Sequence, residues 1–262
     1  STQSRSSAAS DVYKRQILRC AEATVDVGQP MVVTVPEAPA EALQAFPRQP
    51  VALPAVSPEQ PAYITFTSGS TGEPKGIVTH HAPLVHFIDW HVRQHGFTQA
   101  DTFSLLSGLG HDPVYRDVFT PLSLGATIAC PAQSTLTDPS RLASWLQQHG
   151  VSVIHLTPPL GKLIETGAHL NGQVLDHLRY LFWGGDALSP TQYQQVRAIA
   201  PNAVNVNFYG TTETPQAMAF HTLDPEMDNA RVPLGKGIAD AQLLVINPVS
   251  YTHLTLPTIY SV

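Results

Sequence analysis

Three short runs in this chain carry the residue types best suited to chemistry. The first, Tyr63 to Gly76, reads Tyr-Ile-Thr-Phe-Thr-Ser-Gly-Ser-Thr-Gly-Glu-Pro-Lys-Gly. A β-prone apolar run leads into a loop of glycines and hydroxylated residues that ends in one lysine. Gly69 and Gly72 let backbone N–H groups approach an anion. Thr67, Ser68, Ser70 and Thr71 add hydroxyl donors, and Lys75 adds a mobile positive charge. These are the parts needed to hold a polyphosphate. The run is not a Walker-type loop, which needs Lys-Ser/Thr opening a helix. Lys75 stands between Pro74 and Gly76, both poor in a helix interior, and Ile-Val-Thr follows as a strand. The plainer reading is a Gly/Ser turn in a hairpin.

The second run is Asn207-Phe208-Tyr209-Gly210-Thr211-Thr212-Glu213-Thr214, at the end of a predicted strand, Val204–Tyr209. It sets an aromatic, a glycine, two hydroxyls and a carboxylate side by side. A tyrosine face can stack on adenine. A carboxylate there can take magnesium, which wants oxygen ligands beside phosphate. The plainer reading is a helix start with capping-box character. The third run is His111-Asp112-Pro113-Val114-Tyr115-Arg116-Asp117-Val118-Phe119. Arg116 falls one helical turn after Asp112, on the same face, and an arginine grips a carboxylate bidentately. Plainer readings are Asp112 as a helix cap beside Pro113, and Arg116 paired with Asp112 or, at the surface, with Asp117.

These runs need elements to position them. The pattern predicts the end of a helix from Ile17, then a strand Met31–Val35. Residues 36–61, rich in proline and alanine, read as a connector. Helices are predicted over Ala82–His95 (Leu84, Phe87, Ile88 and His91 at helical spacing), Tyr115–Leu124 broken near Pro121, Pro139–His149 capped by Asp138, Pro159–Thr166, and Pro190–Ile199 capped by Ser189. Strands are predicted at Phe103–Leu106, Ala126–Cys130, Val151–Leu156, Tyr180–Trp183 and Val204–Tyr209. Strands alternating with helices imply an α/β fold with largely parallel pairing. In such sheets ligands sit beyond the carboxyl ends of strands, where Gly184-Gly185-Asp186 joins the Tyr63–Gly76 and Asn207–Thr214 runs as a third candidate loop.

Composition narrows the partners. The 262 residues carry a net charge of −6 with scattered basic residues, so nothing points to nucleic acid or an anionic membrane. No apolar run approaches a membrane span. Two distant cysteines, Cys20 and Cys130, give no disulfide framework, and a reducing cytoplasm is the default. Twelve histidines lack metal spacing, so structural zinc is not expected.

The two ends stand apart. Val-Tyr-Lys-Arg-Gln near residue 16 and Val-Ser-Tyr-Thr-His-Leu-Thr from Val249 to Thr255 can be written as one short DNA element read on opposite strands. Residues 1–16 and 248–262 therefore read as translated adapter-like sequence, to be set aside and expected to pack poorly. The division is then 1–16 adapter-like; 17–60 the end of a preceding subdomain and a connector; 61–247 the core; 248–262 adapter-like.

The 61–247 segment closely resembles adenylate-forming enzymes, which include the adenylation domains of nonribosomal peptide synthetases, acyl-CoA synthetases and luciferases. Tyr63–Gly76 resembles their phosphate loop, and Tyr209–Glu213 their Tyr-Gly-x-Thr-Glu core. The resemblance implies incomplete core subdomains with αβαβα layers and ATP and Mg²⁺ as cofactors. It implies that Tyr209 stacks on adenine, that Thr212 contacts the α-phosphate and Glu213 holds Mg²⁺, and that Gly184, Gly185, Asp186 and Asn207 border the adenine. Asp112 matches the aspartate that pairs with a substrate's α-ammonium, which favours an amino acid over an acyl- or aryl-CoA ligase substrate. Pro113, His155, Phe182, Gly184, Phe208, Gln216 and Ala217 match further pocket positions. The Asp-Pro-Arg set with the following His and Phe resembles α-aminoadipate reductases and related synthetase domains, although Gly184, Phe208 and Gln216 depart from that pattern. The implied reaction is amino-acid activation to an aminoacyl-adenylate with pyrophosphate release. Transfer to phosphopantetheine on a carrier domain of the parent protein would follow. The family's later motifs, including its Tyr-x-Thr-Gly-Asp segment, do not occur here. The chain is thus expected to be a fragment without activity of its own; a fragment that only binds nucleotide weakly is the alternative.

Overall fold

The computed structural model describes residues 16–20, 31–35, 55–67, 74–226, 231–246, 253–254 and 259–260. The chain divides into two units, residues 1–55 and 56–262. In the first, β1 (Gln16–Cys20) and β2 (Met31–Val35) pair in parallel, with Ile17 opposite Val32 and Leu18 opposite Val33. Met31–Val35 is thus a strand as its β-branched run predicts. The segment from Ile17 is a strand where a helix end was expected; a β-branched partner strand overrides a weak local preference.

The second unit opens with an antiparallel hairpin of β3 (Pro61–Thr67) and β4 (Lys75–His80), in which Thr67 faces Lys75. Then come α1 (His81–His95), β5 (Thr102–Ser104), α2 (Pro113–Leu124), β6 (Thr127–Ala129), α3 (Gln133–Leu136) and α4 (Pro139–Gln148). After these follow β7 (Val153–Leu156), α5 (Pro158–Asn171), β8 (Tyr180–Trp183), α6 (Pro190–Ile199), β9 (Val204–Thr211), β10 (Thr214–Thr222) and β11 (Pro233–Gly237). Short strands β12 (Val245–Ile246), β13 (His253–Leu254) and β14 (Ile259–Tyr260) end the described chain.

One sheet organises the unit, in the order β14-β11-β10-β9-β8-β7-β5-β6. The strands β6, β5, β7, β8 and β9 run parallel, and β10, β11 and β14 add antiparallel at one side. Side-chain alternation splits the core in two. Ile154 and Leu156 of β7, with Leu181 and Trp183 of β8, face one side and pack with Leu142, Leu146, Ile164 and Tyr193 from α4, α5 and α6. Val153, Phe182, Val206 and Phe208 face the other side and pack with Phe87 and Trp90 of α1. His155 follows this second set by the same alternation.

Local signals set several boundaries. Asp138 accepts from the Arg141 backbone N–H at the start of α4. Ser189 and Gln192 form a reciprocal capping box at the start of α6. The helix α2 departs from expectation, because it continues through Pro121 rather than breaking there. Its buried face runs on through Val114, Asp117, Thr120 and Pro121. That packing offsets a lost turn bond worth about 3 kcal/mol in a helix interior. Where α5 crosses α4, Gly167 lies directly against the Pro139 carbonyl, with no room for a Cβ.

Parts of the end segment pair as strands. His253–Leu254 pairs with β12, and Ile259–Tyr260 pairs with β11. Its apolar and β-branched residues suffice for strand pairing, whatever their origin. No helix among the described residues is long and apolar enough to cross a membrane.

Candidate functional site

The parallel strands β5, β7, β8 and β9 end on one edge, and a cavity of about 660 Å³ opens there. Each wall follows a strand end. Leu106, Ser107 and Gly108 come after β5, Thr157 after β7, Gly184 and Gly185 after β8, and Gly210 to Thr212 close β9. The N-terminal turn of α2 adds His111, Asp112, Pro113 and Arg116, and His155, Phe208 and Gln216 line the floor. A second cavity of about 390 Å³ is lined by Gly185, Asp186, Asn207, Phe208, Tyr209 and Gly210, with Val232 and Leu234. Gly185, Phe208 and Gly210 are common to both.

Asp112 occupies the N-cap position of α2, yet its side chain makes no capping bond. Burial raises its pKa, against the opposing pull of Arg116. Arg116 is 7% exposed, and its Nη1 donates to the Gln216 carbonyl at 3.5 Å. Its Nε stands 3.8 Å from Asp117 Oδ1. Burial draws the arginine pKa down while Asp117 and Asp112 hold it up. Asp117 is fully buried, so the pair expected at the surface lies inside. His155 brings Nδ1 to within 2.9 Å of Asp117 Oδ1, and its Nε2 lies 3.0 Å from His91 Nε2. Burial, then the neighbouring Arg116, depresses the His155 pKa. His91 is depressed further, by burial and then His155.

Gln216 joins β10 to the start of α2 by two bonds. Its Nε2 donates to the Asp112 carbonyl at 3.0 Å, its own carbonyl accepts from Arg116, and its backbone sits at φ 71°. A non-glycine residue in this left-handed region is strained and persists only where its surroundings fix it. Tyr63 of β3 stacks on Tyr115 of α2 at 3.9 Å, which fixes the hairpin beside the cavity.

In the second cavity Tyr209 is 43% exposed. Asn207 donates from Nδ2 to the Pro233 carbonyl at 2.9 Å, bracing β11. The segment Tyr209–Glu213 forms a strand end and a turn, not a helix start. Thr211 N–H donates to Thr214 Oγ1 at 3.0 Å across that turn. Gly210 packs its Cα against the Ala217 and Gln216 backbone of β10, where a Cβ would be crowded.

Several predicted residues stand elsewhere. Phe182 and Ala217 are fully buried and line neither cavity. Phe182 lies beneath the floor, 5.0 Å from Phe208 and 5.0 Å from His155 between ring centres. Thr67 and Lys75 lie on the hairpin, Lys75 exposed, and neither lines either of these two cavities. Ser68, Gly69, Ser70, Thr71 and Gly72 lie outside the described residues. Glu213 is exposed at the turn tip beside Thr212. Sequence reasoning missed the burial of Asp117 and its tie to His155 and His91. The available signal was His91 itself, an inward-facing histidine in the apolar stripe of α1.

Comparison with known proteins agrees with this fold. The family model described as AMP-binding enzyme matches residues 4–251. The L-2-aminoadipate reductase of Saccharomyces cerevisiae is 38% identical over 207 residues, covering 76% of this chain. This chain spans 15% of that relative's length. Among solved structures, the nonribosomal peptide synthetase FmoA3 in its alpha-methyl-L-serine-AMP bound form aligns with a TM-score of 0.80 at 27% identity, over 91% of this chain and 26% of that one. Holo-PA1221, a synthetase protein containing adenylation and PCP domains, aligns with a TM-score of 0.73 at 27% identity, over 95% of this chain and 41% of that one. With the matched segment running through both cavities and every strand that builds them, this chain belongs to the AMP-binding enzyme family, the adenylate-forming enzymes that its Tyr63–Gly76 and Tyr209–Glu213 runs resemble.

Proposed function

We propose that this core activates the carboxylate of an amino acid with an acidic side chain, α-aminoadipate or a glutamate-like acid, as an aminoacyl-adenylate at the expense of ATP. The observation that carries the reading is the pair of adjoining cavities. Asp112 and Arg116 line the first, Asp186 and Tyr209 line the second, and Gly210 belongs to both. Asp112 suits an α-ammonium, and Arg116 suits a distal carboxylate. The exposed Tyr209 face suits a purine. The aminoacyl-AMP in the FmoA3 structure and the aminoadipate reductase relative support the same reading.

In this mechanism the substrate carboxylate attacks the α-phosphorus of ATP. An oxygen–phosphorus bond forms, the α–β bridge breaks, and pyrophosphate leaves with the electron pair. The protein aligns the reactants and meets developing charge. Thr212 holds the α-phosphate. Thr67, the Ser68–Gly72 loop and Lys75 meet the leaving pyrophosphate. Glu213 carries an exposed carboxylate at the turn tip, and its oxygens fit a hard cation. Mg²⁺ held there would neutralise charge on the phosphate oxygens. The aminoacyl group then passes to a carrier-domain thiol, on phosphopantetheine, in the parent enzyme; the adenylation–PCP architecture of PA1221 supports that partner. The cytoplasm is the compartment we assign, where the exposed thiol of Cys130 stays reduced.

The test is ATP–pyrophosphate exchange by the parent enzyme with a panel of amino acids. Acidic side chains should be preferred. A preference for leucine or phenylalanine refutes the reading.

A further inference from the structure

From Arg116 and His155 on the wall of the first cavity a buried chain runs back to Asp117 and His91, two groups that the adenylation step does not use. We propose that His155 and His91 form one proton-accepting pair that charges when a side-chain carboxylate enters the cavity, so that an acidic amino acid binds together with one proton. This rests on the reading of the cavity as an amino-acid pocket.

The argument starts from charge. Arg116 and Asp117 are both buried and of opposite sign, so they already balance. The α-ammonium of a substrate answers Asp112. A distal carboxylate beside Arg116 is then surplus negative charge in a buried place, which is expensive unless compensated. The groups facing His155 are few. From α1 come His91, with His95 bonded to the His91 carbonyl behind it. From α2 come Arg116, Asp117 and, across the cavity, Asp112. Phe182 on β8 and Phe208 on β9 present rings, and Gln216 on β10 presents a neutral amide. Asp112 could also take a proton, but it would then forfeit the ammonium. Asp117 would forfeit its balance with Arg116 on taking a proton, which leaves the imidazoles as the groups that gain charge near neutral pH without such a loss.

The geometry says where the proton goes. His155 Nδ1 stands 2.9 Å from Asp117 Oδ1, and a carboxylate oxygen has no hydrogen to give, so the hydrogen between them belongs to Nδ1. In the neutral ring His155 Nε2 is then bare, and it accepts the Nε2–H of His91 at 3.0 Å. The pair holds two protons in this state. His91 Nδ1 is left as a buried ring nitrogen with no hydrogen-bond partner. A third proton, taken from water, enters at His91 Nδ1, and the shared Nε2 proton shifts onto His155. The positive charge then lies on His155, against Asp117 and at the cavity wall. With both its nitrogens engaged, His155 supplies charge rather than a hydrogen bond to the ligand. Burial keeps both rings neutral while the cavity holds no carboxylate.

The experiment compares L-2-aminoadipate with its side-chain amide in pyrophosphate exchange by the parent enzyme, from pH 6 to 8.5. Both compounds carry the same α-ammonium, so its titration cancels in the ratio of KM values. That ratio should rise with pH toward tenfold per unit, as uptake of one proton requires. His91→Phe keeps a buried ring but removes the second imidazole, and it should move this rise to lower pH. A merely structural His91 would change the two compounds alike. Parallel pH profiles for acid and amide would overturn the proton coupling while leaving the acidic-substrate reading intact. Exchange with apolar amino acids and with neither test compound would overturn both.

Discussion

Gln216 Nε2 donates to the Asp112 carbonyl oxygen at 3.0 Å, across 104 positions of sequence. The start of α2 is thereby tied to β10, and Asp112 and Arg116 are held toward the same cavity. The tie survives although Gln216 sits at φ 71°.

The first prediction concerns this latch. Gln216→Ala keeps the strained backbone and removes the amide. One net hydrogen bond is worth about 1 kcal/mol, or roughly fivefold in KM for the amino acid. The KM for ATP should change much less. Equal changes in both KM values would show a general loosening instead.

The second prediction is energetic. Arg116→Met leaves Asp117 buried without its guanidinium and should lower the unfolding free energy by about 3 kcal/mol. Adding Asp117→Leu should recover part of that loss, since no bare carboxylate remains. Denaturant unfolding of the two single variants and the double variant measures the coupling. Strict additivity would mean that the two side chains do not act as a pair.

Acid sensitivity gives the third. Burial holds the His95 pKa down at about 4, and burial also lowers His91 and His155. The native state therefore binds fewer protons than the unfolded chain below the usual histidine value of 6.5. Stability should fall as pH drops from 6.5 toward 4, with His95 alone accounting for about 3 kcal/mol. In His95→Phe that part of the decline should vanish, as read from denaturant melts at pH 7, 5.5 and 4.5. An undiminished decline would exclude His95 as its source.

Asp101 also loses its contribution in acid, over a lower pH range. Its burial would raise the pKa, but the Thr98 backbone N–H, Arg179 and Ser152 together hold it below the ordinary aspartate value. Its contribution is therefore present above the unfolded pKa near 3.8 and fades as pH falls through the lower folded value. Asp101→Asn should cost about 2 kcal/mol at pH 7 and much less near pH 3. A cost independent of pH would mean that shape, not charge, is lost.

The fifth prediction is steric. Gly167→Val drives a side chain into the Pro139 carbonyl where α4 and α5 cross. The loss should be 3 kcal/mol or more, or the protein should fail to fold. Gly172→Asn, at a helix end with open space around it, serves as the tolerated control. Equal melting temperatures for Gly167→Val and the parent protein would contradict the close crossing.

What the sequence made legible was what local physics decides. The capping box at Ser189 announced α6, with both ends in place. Tyr180–Trp183 matched its strand because a short apolar run ended at two glycines. The loops at strand ends also located the cavity. The rest depended on distant partners. Asp117 reads as a surface charge beside Arg116, and only His155 on β7, arriving from elsewhere in the chain, makes it a buried acceptor. The turn joining β9 to β10 centres on Thr212-Glu213, without the Asn-Gly or Gly signature of tight hairpins, so β10 gave no advance sign of pairing with β9. Pro121 looked like a helix stop, and tertiary packing overruled it.

Because Gly185, Phe208 and Gly210 wall both cavities, neither can change width without moving the other's lining. Occupants of the two compartments therefore feel each other through a shared partition. If an adenine nucleotide in one tightens the amino acid in the other by some factor, the amino acid must tighten the nucleotide by the same factor. A bulky side chain that presses on Phe208 would then register first as weaker nucleotide affinity, so that substrate choice and cofactor grip are two readings of one wall.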